Sequence, residues 1–170
     1  MHSLLRPVLT RWPLVALLSS ALMLAIAHAF EAAGYEPCLL CLRQREVYWT
    51  AGGVALGGLV LLRFAKDRGW RVALDALLAV IFLVGLGVAV YHAGAEWKFW
   101  PGPTACAAGS GVSADAMADL LNSSKRIHAP SCEEPAWVFL GLSMAGWNAL
   151  VSLKLTILSV AAAMLERNAR

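Results

Sequence analysis

Four long apolar segments separated by polar stretches dominate the chain. Residues that are charged at neutral pH are absent from 12–30, 47–62 and 76–95, and only Lys154 interrupts the run 136–165. Each run is close to the length of about 20 apolar residues that crosses a bilayer. Apolar residues occur on all sides of each predicted helix, which is typical of helices that face lipid.

This pattern predicts an all-α fold, a four-helix transmembrane bundle with a long outer loop. We place the spans at about 12–31, 42–62, 73–95 and 136–165, and the outer loop at 96–135.

Within the outer loop, residues 113–122 predict a short amphipathic helix. Ser113 suits the N-cap and Asp115 suits the first turn. Met117, Leu120 and Leu121 then share one face. Such a helix suits either the membrane surface or packing on the rest of the protein.

The amino-acid composition supports residence in a membrane. The chain is 59% hydrophobic and 15% charged, whereas a soluble domain is usually about 45–50% apolar and about a quarter charged. The 170 residues leave no room for a separate soluble domain, so we expect a single integral membrane domain over 1–170. No Lys/Arg-rich tract carries interleaved aromatic residues, which argues against nucleic-acid binding.

The lysines and arginines near the span ends predict the orientation. They concentrate in the N-terminal tail, the loop between spans two and three, and the C-terminal tail: Arg6, Arg11, Arg63, Lys66, Arg68, Arg71, Arg167 and Arg170. These three segments share one side of a four-span protein, so we expect both termini to be cytoplasmic. All four cysteines fall on the opposite side, where an even cysteine count is typical of disulfides in an oxidising compartment.

The N-terminal segment has an alternative interpretation. Arg6 and Arg11, an apolar core and Ala-His-Ala at 27–29 are also typical of a cleavable signal peptide. The apolar run is long for a signal peptide, so we favour an uncleaved helix. Cleavage after residue 29 would still leave Cys38 outside.

The first cysteine pair, Cys38 and Cys41, lies where one span ends and the next begins. Pro37 is expected to open span two, which places both thiols on one face near a helix N-terminus. The helix dipole stabilises a thiolate there. Arg45, one turn deeper, is expected to stabilise a Cys41 thiolate or charge on a nearby acceptor, although snorkelling to the interface is the alternative.

Structural roles compete with a redox role for both cysteine pairs. Cys38 and Cys41 also suit a static disulfide or half of a zinc site, but zinc ribbons usually carry two close pairs. Here 25 residues separate Cys106 from Cys132, so we expect no metal. A Cys106–Cys132 disulfide that only closes the outer loop is the alternative for the second pair.

Other polar and aromatic residues at the outer side are less informative. His92, near the outer end of span three, either donates a hydrogen bond to an acceptor or snorkels. The aromatic residues there are interpreted as an interfacial belt: Trp97, Phe99, Trp100 and Trp137. We assign no chemistry to His28, Asp75 and Lys154.

These motifs resemble the DsbB family of disulfide bond formation proteins. The resemblance covers essentially the whole chain: four spans, Pro-Cys-Leu-Leu-Cys at 37–41 followed by Arg45, and a two-cysteine outer loop. It includes Pro-Gly-Pro-Thr-Ala-Cys at 101–106 and, after Cys132, Trp-Val-Phe-Leu-Gly-Leu at 137–142.

The resemblance implies an enzyme, a protein-dithiol:quinone oxidoreductase of the bacterial inner membrane with periplasmic cysteines. It implies a DsbA-like periplasmic partner of the thioredoxin fold, and a quinone (ubiquinone or menaquinone) as the electron acceptor. The DsbA–DsbB–quinone system is the established route that keeps the bacterial periplasm oxidising.

The resemblance also implies an order of events and assigns residues to it. The reduced partner attacks Cys106, the released Cys132 attacks Cys38, and Cys41 passes the electrons to the quinone. Arg45 and His92 are the expected quinone-binding residues.

Two other functions fit parts of the pattern. A quinone reductase of the vitamin K epoxide reductase type also uses a membrane CxxC and a loop pair, but there the loop pair precedes the CxxC, whereas here it follows. A membrane protein without enzymatic activity, whose cysteines form only structural disulfides, is the other alternative.

Overall fold

The computed structural model describes residues 2–65, 67–103 and 131–168, and it is almost entirely helical there. Within these ranges, five helices and one small hairpin follow one another: α1 His2–Thr10, α2 Trp12–Ala32, α3 Leu39–Phe64, α4 Arg68–Glu96, β1 Val138–Phe139, β2 Leu142–Ser143 and α5 Met144–Asn168. Helices α2 to α5 are each long and apolar enough to cross a membrane. The predicted all-α, four-span fold is therefore confirmed, and the chain is a multi-pass membrane protein.

Small side chains line the contacts between the four long helices. Ala16 of α2, Ala51 and Ala55 of α3, Ala89 of α4 and Ala162 of α5 are fully buried. Such residues let helix backbones approach closely, which drives association where lipid removes the hydrophobic effect between helices. Large leucine, valine and isoleucine side chains point outward instead, in agreement with a lipid-facing surface.

The bundle has two chemically different ends. We call the end where α2 and α4 finish and α3 and α5 begin the cysteine end, because it carries Cys38, Cys41 and Cys132. At the opposite end, an ion pair of 3.7 Å between Arg68 and Glu166 joins the start of α4 to the last turns of α5.

Several predicted boundaries differ from the observed ones. Span two begins at Leu39, because Cys38 rather than Pro37 stands at the helix boundary. Span three begins at Arg68 rather than at about residue 73. Span four begins at Met144 rather than at about residue 136, because 138–143 form an antiparallel hairpin. Its turn residues Leu140 and Gly141 have φ of 51° and 78°, the positive values that a type I′ turn requires.

The N-terminal and loop regions also bear on the predictions. The segment before span one contains helix α1, which we had treated as a tail. Our predicted loop helix at 113–122 and Cys106 lie outside the described residues.

At the cysteine end, the side chain of Trp100 packs on the last turns of α4. The Trp100 indole N–H donates to the Tyr91 carbonyl at 2.8 Å, and the two rings stack. The Trp100 ring lies so close to Gly94 that an added Cβ would be 2.0 Å from it. Trp100, which we had interpreted as part of an interfacial belt, is therefore also a packing residue that requires glycine beneath it.

We predict that Gly94→Ala destabilises the bundle by about 1–3 kcal/mol, because the new methyl group must displace the Trp100 ring. Gly87→Ala on the same helix is the matched control, since a Cβ there meets nothing within 4 Å. Thermal unfolding of both variants in the same detergent measures the difference. Equal melting temperatures for the two variants would contradict this packing.

Candidate active site

Cys38 is the N-cap residue of α3. Its backbone is extended (φ −74°, ψ 170°), and its Sγ accepts a hydrogen bond from the Cys41 backbone N–H at 3.3 Å. A sulfur in this position satisfies a helix N–H that has no intrahelical partner and lies at the positive end of the helix dipole. The predicted proximity of the cysteine pair to a helix N-terminus is confirmed. Cys38 is the N-cap and directly precedes Leu39, the first helical residue.

Cys38 and Cys41 are free thiols with their Sγ atoms 2.9 Å apart. The hydrogen bond from the Cys41 thiol lowers the pKa of Cys38 most, burial opposes this, and the contact with His92 lowers it further. The net result is a pKa well below the ordinary value of a thiol. Cys38 therefore has increased thiolate character.

Cys132 lies in the same buried cluster as this pair. It is disulfide-bonded and fully buried, in one cluster with Cys38 and Leu40, and Cys41 lies against that cluster. The following residue, Glu133, fixes the segment to the stretch that follows α4, since its carboxylate accepts from the Gly102 N–H at 2.9 Å. The fold thus brings a residue from the far end of the outer loop into the cluster that contains the first cysteine pair.

His92 reaches the same pair from α4. It is buried, and its Nε2 lies 3.5 Å from the Cys38 Sγ. Its Nδ1 accepts a hydrogen bond from the Gln44 amide at 2.8 Å, so the proton of a neutral ring is on Nε2, facing the sulfur. The structure therefore favours the first of the two roles that we considered, a hydrogen bond to an acceptor, and the acceptor is Cys38.

A chain of buried side-chain hydrogen bonds holds His92 on its Nδ1 side. Tyr48 donates to the Asn148 carbonyl oxygen, and Asn148 donates to the Gln44 carbonyl oxygen at 2.6 Å. The Tyr48 hydroxyl also lies 3.2 Å from the Ser152 hydroxyl. The chain crosses from α4 through α3 to α5, and polar groups inside a membrane bundle require such partners. It fixes the orientation of the imidazole.

Glu96 approaches His92 from the other side, one turn along α4. Its carboxylate lies 3.7 Å from the His92 Nε2 and accepts a hydrogen bond from the Ser143 hydroxyl. Ser143 in turn accepts from the Gly146 backbone N–H at the start of α5. A buried acid that is held by Ser143, just before α5, is positioned to compensate positive charge on the imidazole.

Arg45 is engaged elsewhere. Its guanidinium donates to the Glu31 carboxylate at 2.6 Å and to the Ala27 carbonyl at 3.1 Å, so it clamps α3 to α2. Among the described residues it has no hydrogen bond to Cys41. The guanidinium lies at the cysteine end as expected, but the partner that it holds here is an α2 carboxylate rather than a thiolate.

The polar chain behind His92 was not predicted from the sequence. Gln44 follows Cys41 by three residues and Glu96 follows His92 by four, and both spacings place the pairs on common helix faces. Asn148 is an amide inside an apolar span, where polar residues are often functional. These spacings were available signals, but only the packing of α3, α4 and α5 shows that the residues meet.

Comparison with known proteins now places this site in a family. The family model for "Disulfide bond formation protein DsbB" matches residues 10–162. The chain belongs to the DsbB family. A disulfide bond formation protein B of Nitrosococcus oceani is 31% identical over 148 residues, covering 82% of each chain.

Two further relatives carry the same name. The protein from Marinobacter nauticus is 32% identical over 158 residues, covering 89% of this chain and 90% of its own. The protein from Pasteurella multocida is 28% identical over 145 residues, covering 84% and 79%. No solved structure gave a significant match. Membership in the DsbB family makes this chain a membrane protein of disulfide bond formation.

We predict that Cys38 of the reduced protein is alkylated at about pH 6 faster than an ordinary thiol, because its lowered pKa preserves the thiolate as pH falls. Cys41→Ala removes the strongest donor, so the pKa of Cys38 should rise. Below its pKa, the rate should fall about tenfold per unit of that rise.

Cys41→Ser is the matched control because its hydroxyl can still donate to Cys38. Mass spectrometry of the Cys38 peptide after timed iodoacetamide treatment gives the rates. Identical pH profiles for Cys41→Ala and Cys41→Ser would contradict the assigned hydrogen bond.

Proposed function

We propose that the chain reoxidises a periplasmic dithiol protein of the DsbA type and passes the two electrons to a membrane quinone. The observation that supports this most is that disulfide-bonded Cys132 shares one buried cluster with the free cysteine Cys38, and that the free cysteine Cys41 packs against this cluster. Thiol–disulfide exchange requires such an arrangement, in which thiols lie beside a sulfur of a disulfide. A purely structural role gives no reason for two free cysteines in the same cluster as a disulfide-bonded one.

The proposed exchange starts at a Cys106–Cys132 disulfide. A partner thiolate attacks Cys106, and Cys132 leaves as a thiolate. It attacks Cys38 of the oxidised first pair, and Cys41 leaves. The second partner thiolate then displaces Cys106, and Cys106 displaces Cys38 from Cys132. The partner becomes a disulfide, the Cys106–Cys132 bond is restored, and the first pair holds two electrons and two protons as a dithiol.

The lowered pKa of Cys38 supports this direction. A thiol of low pKa is the better leaving group in disulfide exchange. When Cys106 attacks a mixed Cys132–Cys38 disulfide, Cys38 therefore leaves readily, and the Nε2 proton of His92 faces the sulfur on which negative charge develops. His92 is the group that stabilises this charge, and Glu96, which lies beside the imidazole, can exchange the accompanying proton with it.

Several features around Cys41 support a quinone as the electron acceptor. Cys41 is partly exposed, and the neighbouring Leu39 and Leu42 are also exposed, so the thiol borders an apolar surface that faces lipid. Arg45, one turn deeper, supplies N–H donors that suit a carbonyl oxygen. When bound, a quinone would accept the two electrons and two protons of the dithiol. His92 lies on the Cys38 side, so its role at the quinone stays a prediction.

We place the cysteine end in the periplasm of a bacterial inner membrane. The opposite end carries the basic residues Arg63, Arg68, Arg71 and Arg167, and lysine and arginine concentrate on the cytoplasmic side of membrane proteins. The same orientation puts both chain ends in the cytoplasm.

The proposal predicts that Cys106→Ala lowers quinone reduction by a reduced DsbA-type protein at least about 100-fold, because the partner loses its point of attack. Quinone absorbance, followed with purified full-length protein, gives the rate. Ser131→Ala, next to Cys132, is the control and should stay within about twofold. Full activity of Cys106→Ala would contradict the proposed order of exchange.

Arg45→Met should raise the KM for quinone about tenfold, which corresponds to the loss of one charge-assisted hydrogen bond of about 1.4 kcal/mol. Arg43→Met is the matched control, because Arg43 is exposed and pairs with Glu46 on another face. Glu31→Gln disrupts the Arg45 ion pair while keeping the guanidinium, and it should leave the KM unchanged. An unaltered KM for quinone in Arg45→Met would rule out a role of Arg45 in quinone binding.

A further inference from the structure

The Cys38–Cys41 dithiol and His92 present three metal-ligating atoms to one small volume. The two Sγ atoms and a ring nitrogen of His92 all lie within 4.8 Å of one another. Two of these ligands come from α3 and the third comes from α4, so the sequence spacing alone did not reveal the set. We propose that, in its dithiol form, the protein binds one thiophilic divalent cation such as Zn²⁺ or Cd²⁺ at Cys38, Cys41 and His92.

The distances suit tetrahedral zinc after a small adjustment. Zn–S and Zn–N bonds of about 2.3 and 2.1 Å imply an S···N separation of about 3.6 Å and an S···S separation of about 3.8 Å. The observed Cys38 Sγ to His92 Nε2 distance is 3.5 Å. The two sulfurs are 2.9 Å apart, so a rotation of the Cys41 side chain must widen their separation by about 0.9 Å.

The balance of charge between ligands and ion favours cation binding at this buried site. Binding displaces the thiol proton of Cys41, and two thiolates then neutralise the charge of a divalent ion. A neutral complex has a smaller desolvation cost than an isolated ion. Two sulfurs and one nitrogen form a known zinc ligand set, in which the fourth position is left to water or another ligand.

The polar chain behind His92 can adapt to the metal. Coordination through Nε2 leaves the proton on Nδ1, so Gln44 must turn its amide to accept it. Asn148 then turns as well, accepting from the Gln44 amide and donating to the Tyr48 oxygen. Because the Tyr48 and Ser152 hydroxyls can each donate or accept, the reversed chain remains fully hydrogen-bonded.

The site exists in one redox state only. A Cys38–Cys41 disulfide has no thiolates to offer, so the cation selects the dithiol and keeps it reduced. Thiophilic cations are therefore expected to stop electron flow at the first pair. This inference rests on the free dithiol and His92, and not on the identity of the partner or of the electron acceptor.

The test is a Cd²⁺ titration of the reduced full-length protein, in a background of Cys106→Ser and Cys132→Ser that removes other thiols. Thiolate-to-cadmium absorbance should saturate at one ion per chain. His92→Ala should weaken the affinity at least about tenfold. His28→Ala, which changes an exposed histidine at the same end of the bundle, is the matched control and should bind like the parent.

A gain-of-affinity variant sharpens the test. Gln44→Glu provides a carboxylate for the Nδ1 proton while still accepting from Asn148, so it should tighten binding about tenfold, whereas Gln44→Leu should weaken it. X-ray absorption of the zinc-loaded parent protein should show two sulfurs and one imidazole nitrogen, a readout that needs no histidine variant. Absence of saturable binding, equal affinity in His92→Ala, or a zinc environment without imidazole would each overturn the proposal.

Discussion

The hydrogen bond from Gln44 to His92 is the interaction on which the site depends, because it fixes the imidazole against Cys38 across a helix interface. Gln44 belongs to the same helix as the cysteine pair, and His92 belongs to α4. Asn148 of α5 holds Gln44 in turn. Three membrane-spanning helices thus share one polar chain, and a shift of any of them would move the histidine relative to the sulfur.

The chemistry follows from the placement of sulfur atoms at a helix end. Cys38 caps α3, its Sγ accepts a hydrogen bond from the Cys41 backbone N–H and lies 2.9 Å from the Cys41 Sγ, and the pKa of Cys38 is lowered. Cys132 shares the buried cluster of Cys38, whereas Cys41 is partly exposed at the apolar surface. The pair therefore faces a protein disulfide on one side and lipid on the other, which suits transfer of electrons from a water-soluble partner to a lipid-soluble acceptor.

Much of this arrangement could be predicted from the sequence. The apolar runs gave the four helices, and the Pro-Cys-Leu-Leu-Cys motif at 37–41 gave a cysteine pair at a helix N-terminus. The predicted start of the last helix was wrong, because the apolar segment 138–143 is as compatible with a hairpin as with a helix. The turn at Leu140 and Gly141 makes this segment a hairpin. Periodicity alone does not distinguish short apolar strands from helical segments.

The supporting residues of the site could not be predicted in the same way. Gln44, Glu96 and Asn148 are separate polar residues in the sequence, and their meeting depends on how α3, α4 and α5 rotate and pack. Arg45 shows a second limit of prediction from the sequence. Its position one turn beyond Cys41 was predicted, but the structure shows that its guanidinium binds Glu31. Spacing along one helix gives a face, whereas the partner on that face depends on the neighbouring helix.

The central claim is that Cys132 exchanges directly with Cys38. The most direct measurement uses a protein with Cys41→Ala and Cys106→Ala, which leaves only these two cysteines. After mild oxidation, mass spectrometry of the digested monomer should find a Cys38–Cys132 disulfide in most chains. A matched protein with Cys38→Ala and Cys106→Ala should give far less of a Cys41–Cys132 bond. Two alkylatable thiols in the first protein, or equal cross-linking in both, would contradict the account.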